Sequence, residues 1–484
     1  MFQSTPESKD KLSSDLIRTT PDFNDMIRIT LWSGLGFIFF MFIKSYVVIY
    51  FFGGSGVDLG IIMALQPLAR LFSMPLVAYL IDHTSKKRLV LIGSMGRTLA
   101  YSIYWISLVI PNLVLFGVGA FIQGLLVAFF WPPFFSLISE KSFKGNRTQA
   151  LATGRGRMIG YGFLIGAFIS IPIFAFVSVF IPENIPLMYS PLLIFAIINF
   201  FAGIQFNRKV DESLTFEKYM ASLNDSNLNG DNHTEHNENS EYSRITVNKH
   251  NVEGTANIEA IKNVENVDKK QNQIFNIGFA ALILALLATS ITGTIYSPFI
   301  SAYLIENLLT DVSVVIVPIL VMIVYFPAQV ISQLTASKLG KSFDRISPLR
   351  SVMIIGFIKA LMIWLLIYAF SAFDFAVILI FLYIAAESNV YLIQAIMSRI
   401  SIKHRGKIFS LNMWIDRLGR VIGPLIGGII WDTMGDTIPF IISIYLGLCL
   451  IPLYVFAIRK LRSYMIEQVD IDKIGFLKKK NKKN

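Results

Sequence analysis

Apolar residues come in long runs along this chain, separated by short polar connections. A helix of roughly 20 apolar residues crosses a hydrocarbon layer of about 30 Å, and a helix suits that layer because it satisfies its own backbone hydrogen bonds. The pattern predicts twelve spans: 27–52, 57–81, 89–110, 112–139, 151–180, 187–206, 274–305, 312–337, 351–370, 375–398, 408–431 and 438–458. Pro111, Pro182 and Pro186 punctuate the clearest breaks.

The connections are patterned as well. Four of them, 82–88, 140–150, 338–350 and 399–407, carry fourteen Lys and Arg, and the connections at the opposite end carry none. Basic residues stay with the cytoplasmic face of a membrane, so both termini and the long segment 207–273 are expected in the cytoplasm. The opposite loops, such as 306–311 and 432–436, are short and mildly acidic, which leaves no extracellular domain. The expected organisation is a cytoplasmic tail 1–26, a six-helix bundle 27–206, a linker 207–273, a second six-helix bundle 274–458 and a basic cytoplasmic tail 459–484. This is an all-α integral protein of the cell membrane that crosses it twelve times.

Composition supports the same solvent. Of 484 residues 54% are hydrophobic and 15% charged, against about 25% charged in soluble domains. The net charge of +11 sits beside spans and forms no basic face with interleaved aromatics, which excludes nucleic acid as a partner. Cys449 stands alone and forms no intrachain disulfide. Residues 1–26 are polar and the first apolar run is too long for a signal h-region, so no cleavable signal is expected. The linker is rich in Asn and poor in aromatics, a composition that cannot offset the entropy of ordering, and it is expected to be disordered. His233 and His236 within it lack any further ligand framework, so no metal or other cofactor is expected.

The linker divides six spans from six, and the halves repeat. Asp82, Arg88 and Arg97 are matched by Asp344, Arg350 and Lys359, each 262 residues on, and GFLIGAF at 162–168 is matched by GPLIGGI at 423–429. Two parallel six-helix halves imply a pseudo-two-fold axis along the membrane normal, as in transporters. The loop after span two, with Asp82, His83, Lys86 and Lys87, is similar to the signature G-x-x-x-D-[RK]-x-G-[RK]-[RK] of the major facilitator superfamily, with Ala78 and Ser85 in place of its glycines. The second copy keeps Gly340, Asp344 and Arg345 and has Ser347, Pro348 and Leu349 at the remaining places.

That resemblance implies a fold of two six-helix bundles related by pseudo-two-fold symmetry, which rock about a central path. It also implies a gate. Asp82 and Asp344 are the expected conformational locks, and Lys86, Lys87, Arg88, Arg345 and Arg350 supply basic groups able to bridge to acids such as Glu140 at the end of span four. The bland reading is that these charges only set topology. Arg97 and Lys359 fall in spans three and nine, peripheral in the family, where snorkelling or a structural brace is expected.

Ionisable residues deep in a span are expensive unless paired or in a wet cavity. The deep set is Lys44, Arg70, Glu387, Asp416, Arg417 and Arg420, and the resemblance puts every one on a helix that can face the path. Asp416 and Arg420 are four apart and can neutralise one another. Glu387 is the candidate proton carrier, with Asp416 beside it, and a static bridge to Arg417 or Arg420 is the rival reading. Arg155 and Arg157 lie nearer the cytoplasmic end of span five, where they can snorkel. Polar and aromatic companions are Gln123, Trp131, Tyr296, Tyr325, Gln329, Asn389, Tyr391 and Gln394. In span eleven Gly419, Gly423, Pro424, Gly427 and Gly428 form a small-residue stripe suited to close packing. It resembles the family's antiporter motif, which belongs on span five.

The expected function is secondary transport of a small solute by a monomer in the bilayer, coupled to an ion, a proton before sodium. Four deep cations against two deep anions favour an anionic or zwitterionic organic substrate. The alternatives are proton-coupled efflux of hydrophobic compounds and a sensor of the same fold that carries no flux. The outer loops are too short to build an enzyme's aqueous site, and the absence of G-x-x-x-x-G-K-[ST] argues against a nucleotide-driven pump.

Overall fold

The computed structural model describes residues 19–37, 44–143, 147–230, 277–312, 316–343, 348–400 and 405–461. Helices are numbered by the span they form. In the first half these are α1 (Phe23–Trp32, resumed at 44 and ending in a π-helical turn, Val47–Phe51), α2 (Gly56–His83), α3 (Lys86–Val109), α4 (Leu113–Val127 and Trp131–Glu140), α5 (Arg147–Phe180) and α6 (Pro191–Lys209). In the second half they are α7 (Ile277–Tyr296, continued as Ile300–Leu308), α8 (Val317–Phe343), α9 (Pro348–Ile367), α10 (Ala372–Ile400), α11 (Arg405–Met434) and α12 (Ile438–Leu461).

Among the described residues nine helices are long and apolar enough to cross a membrane. α11 has ample length, and its polarity comes from the charged residues that the sequence marks as functional candidates. Large apolar side chains such as Phe168, Phe201, Phe357 and Phe373 are exposed on the outside of the bundle, as a lipid-facing surface requires. α4 breaks at 128–130 because Pro132 and Pro133 follow: proline cannot donate to the preceding turn and its ring clashes with the carbonyl four residues back.

The repeat found in the sequence is a packing device. A Cβ on Gly162 would press on Gly34, and one on Gly166 would collide with the Leu35 carbonyl oxygen. The matching Gly423 and Gly427 abut the carbonyl oxygens of Ile291 and Ile295. The same seven-residue pattern thus joins α5 to α1 in one half and α11 to α7 in the other, with glycine allowing backbone contact. The stripe on α11 works on both sides, because Gly428 also meets Gly56 and the Pro424 carbonyl meets Gly60 of α2.

The two ends of the molecule differ. At the end bearing the basic connections each half keeps its own apolar cluster, one around Phe23, Phe130, Phe134 and Phe206, the other around Phe279, Ile396, Met397 and Tyr454. Towards the opposite end one cluster runs through both halves, joining Val47, Leu59 and Phe174 to Phe299, Leu304 and Tyr325. The halves are therefore sealed together at the end with no basic residues.

One expectation is corrected. Phe216–Gly230, inside the segment expected to be disordered, forms a helix, because Phe216 is buried and its ring meets Phe143 at 5.8 Å. The remainder of that segment, 231–273, lies outside the described residues.

Candidate functional site

The deep charges converge where α2, α10 and α11 meet. On α11 Asp416 is four residues from Arg420 and accepts its Nε at 2.8 Å, and Arg417 Nη1 lies 3.9 Å from the same carboxylate. The other oxygen of Asp416 accepts the Ser290 hydroxyl of α7 at 3.1 Å. The neutralising pair expected from the spacing is therefore real. Arg70 of α2 faces this group closely enough to feel the charges of Arg417, Arg420 and Asp416. Its Nε is buried and has no hydrogen-bond partner.

Lys44 extends the row of cations. It is buried, its Nζ donates to Gln66 Oε1 of α2 at 3.0 Å, and its charge is coupled to that of Arg70 one helical turn further on. Glu387 of α10 enters from the second half, where its charge reaches Arg420. Among the described residues it forms no ion pair with Arg417 or Arg420, and its Oε2 is buried without a partner. Beside it stand Tyr383, which hydrogen bonds with Gln329, and Tyr325, whose ring lies 6.4 Å from that of Tyr383. Tyr325 and Gln329 are among the companions expected from the sequence; Tyr383 is not.

Other sequence candidates point elsewhere. Gln123 is buried and accepts the Tyr104 hydroxyl at 2.9 Å, so it ties α4 to α3 inside the first half and has no face on the charged group. Tyr296 is buried with its ring 5.7 Å from Phe440 of α12, within the second half. Asn389 lines a small cavity between α7, α9, α10 and α12. Tyr296 also lies close enough to Tyr383, the neighbour of Glu387, to feel it. Trp131 stacks on Phe37 at 6.2 Å. The side chains of Tyr391, Gln394, Arg155 and Arg157 lie outside the described residues.

Of the gating set, Lys86 and Glu140 do meet, with Nζ 2.9 Å from Oε1. Glu212, which the sequence did not single out, accepts the Ser85 hydroxyl at 2.6 Å and the Lys86 amide at 2.7 Å, and so caps α3. None of these contacts joins the two halves. Asp82 and Arg88 are exposed at the basic end, Arg350 is exposed at the start of α9, and none of these or Lys87 makes an ion pair among the described residues. Asp344 and Arg345 lie outside the described side chains. Arg97 is a brace: fully buried, it donates to the Ser33 carbonyl at 2.5 Å and to Asn199 Oδ1 at 3.1 Å, between the rings of Phe37 and Phe130.

Among the described residues several polar contacts join the halves at the opposite end, and sequence reading missed them. Asp432, near the end of α11, accepts the backbone amides of Gly56 and Val57, each at 2.8 Å, at the first turn of α2. That turn also carries its own capping box between Ser55 and Asp58. A carboxylate at a helix N-terminus meets both unpaired amides and the positive end of the macrodipole. Tyr50 of α1 donates to Glu306 of α7 at 3.2 Å, and Ser45 donates to the Pro298 carbonyl at 2.8 Å. Gly435, at φ 108°, ends α11 next to this seal.

Comparison with known proteins agrees with this architecture. The chain resembles the xylose transporter XylE from E. coli in its inward open conformation, with a TM-score of 0.61 at 10% identity over 94% of this chain and 99% of that one. It resembles the nucleoside transporter NupG with a TM-score of 0.58 at 14% identity over 90% and 99% of the two chains. A bacterial homologue of the human lysosomal transporter Spinster, inward-facing and unoccupied, gives 0.59 at 13% identity over 93% and 100%. These likenesses are of fold. No curated protein matches the sequence. The family model described as Major Facilitator Superfamily matches residues 29–219 and 281–480. Matched so in both halves, the chain belongs to the major facilitator superfamily.

Proposed function

We propose that this chain is a secondary transporter that carries a small anionic or zwitterionic organic solute between its two halves, coupled to protons. One observation carries the reading. Among the described residues Asp416 is the acid whose charge reaches Arg70, Arg417 and Arg420, Glu387 adds to it at Arg420, and Arg70 keeps a buried, unpartnered Nε. A surplus of positive charge inside a membrane protein calls for a negative partner. A carboxylate or phosphate on the solute supplies one, and the guanidinium fork of Arg70 is shaped to hold it in two parallel hydrogen bonds.

Glu387 is the coupling group in this proposal. Among the described residues it is the carboxylate of the set without an ion pair, and its charge acts on Arg420 in the solute site. Asp416 instead orients Arg420. With the fourteen Lys and Arg of the basic connections towards the cytoplasm, the Asp432, Glu306 and Ser45 contacts would seal the outer side. In the outward-open state Asp82 and Asp344 would close the basic end, with Lys86 to Arg88, Arg345 and Arg350 around them. Both halves reside in one chain, so a monomer suffices.

The test is binding of an organic-anion panel to the purified protein, read by thermal stabilisation. A panel member should stabilise the native chain saturably, and Arg70→Ala should weaken its half-saturation by about 30-fold or more. Equal affinity in Arg70→Ala would remove the anion site.

A further inference from the structure

The second half contains a charge that the transport path does not use. Lys359, near the middle of α9, lines a cavity of about 50 Å³ between α7, α9, α10 and α12. Thr289, Thr292, Asn389, Ser443 and Tyr454 line it with Lys359, and no Asp or Glu does. The nearest aromatic support for the ammonium is the Tyr296 ring, 6.0 Å from Nζ. Lys359 makes no hydrogen bond or ion pair among the described residues, and neither does the Asn389 side chain.

The hydroxyls around it are already committed. Thr292 donates to the Ala288 carbonyl at 2.7 Å, Ser443 to the Thr292 carbonyl at 3.0 Å and Tyr454 to the Ala285 carbonyl at 3.3 Å, with Thr289 paired to the Tyr454 hydroxyl at 2.8 Å. The groups left to bind something are two donors, the Lys359 ammonium and the Asn389 amide. The pseudo-symmetric position differs: Arg97 donates from Nη1 to a carbonyl and to an amide oxygen and lies between two aromatic faces. Lys359 meets open space where Arg97 meets protein.

We propose that this cavity binds a small inorganic anion of chloride or bromide size, held by Lys359 Nζ and Asn389 Nδ2. A cation at this depth persists with a counter-charge, and the lining supplies none. Size selects the class, since about 50 Å³ holds about three to five water-sized groups at roughly 10–15 Å³ each. That is room for a halide and a few waters, and too little for an organic solute. The site is separate from the Arg70 group and does not depend on what the transporter carries. Its effect is structural: it joins the second half's α7, α9, α10 and α12 through one ion.

The experiment uses the full chain in detergent, with bromide titrated against gluconate at constant ionic strength and the melting temperature as readout. The native protein should be stabilised saturably by bromide, and Lys359→Met should show no response. Asn389→Leu, which keeps the charge and removes one donor, should raise the half-saturating bromide about tenfold; it also serves if Lys359→Met does not fold. No saturable response in the native protein overturns the proposal. So does a response that survives Lys359→Met, or one that Asn389→Leu leaves unchanged. A response abolished by Arg420→Ala and kept by Lys359→Met would place the halide in the transport path and overturn it equally. Anomalous scattering from bromide-soaked crystals locates the ion: a peak beside Lys359 agrees, and a peak elsewhere with none there does not.

Discussion

Replacing Asp432 by Ala should tip the protein towards opening at the end that its carboxylate seals. The side chain spans the two halves through the Gly56 and Val57 amides, both at 2.8 Å. Hydrogen bonds to a charged group contribute about 1.5–3 kcal/mol when shielded. The residue is exposed, so about 1 kcal/mol for each is the suitable discount, consistent with the ~0.3–1 kcal/mol of an exposed charge at a helix N-terminus. The sum, about 2 kcal/mol, is a roughly 30-fold change in the conformational equilibrium. If the open form is initially about 3% populated, within the usual range for a minor state, that change brings it to about half. Ser55→Ala is the control, because it removes the cap within the same turn of α2 and leaves the contact between halves. The assay is pulsed electron spin resonance between labels at Val114 and Phe373, exposed residues near that end of each half, after replacing exposed Cys449. A distance distribution in Asp432→Ala identical to that of the native protein would refute the reasoning, as would an equal shift in Ser55→Ala.

Other outcomes follow from the packing. Arg97→Leu leaves the Ser33 carbonyl and Asn199 buried without their donor and should cost about 3 kcal/mol, measured as a fall in thermal stability with any flux per folded molecule retained. Gly166→Leu drives a side chain into the Leu35 carbonyl and should abolish folding, whereas Gly160→Leu, with open space around it, should be near neutral by size-exclusion chromatography. Glu140→Gln breaks a partly exposed pair with Lys86 and should change stability by no more than about 1 kcal/mol in the same melting assay.

How much of this was legible follows from what each feature depends on. The spans could be read because crossing a hydrocarbon layer demands a length of apolar chain whatever its neighbours do. The repeat could be read because both copies of GFLIGAF-like sequence meet the same demand, backbone contact with the first helix of their own half. The Asp416–Arg420 pair could be read because it is local, one helical turn apart. Gln123 could not be placed, since nothing in the sequence of α4 says that its face is turned to Tyr104. Arg97 and Lys359 hold equivalent positions, yet one is packed between two rings with Nη1 bonded to protein and the other opens on a cavity; the difference lies in Asn199, Phe37 and Phe130, which are far apart in sequence. Asp432 was hidden for a further reason. Its partners are backbone amides 375 and 376 residues away, and backbone amides carry no sequence signature.

The central claim is that solute charge and proton coupling meet at the Arg70, Arg420 and Glu387 group. The most direct test is uptake of a radiolabelled organic anion into proteoliposomes with and without an imposed pH gradient, comparing the native chain with Glu387→Gln. The account predicts saturable flux that the gradient accelerates in the native protein, and flux in Glu387→Gln that persists without responding to the gradient. Gradient-driven acceleration of equal size in Glu387→Gln would contradict it.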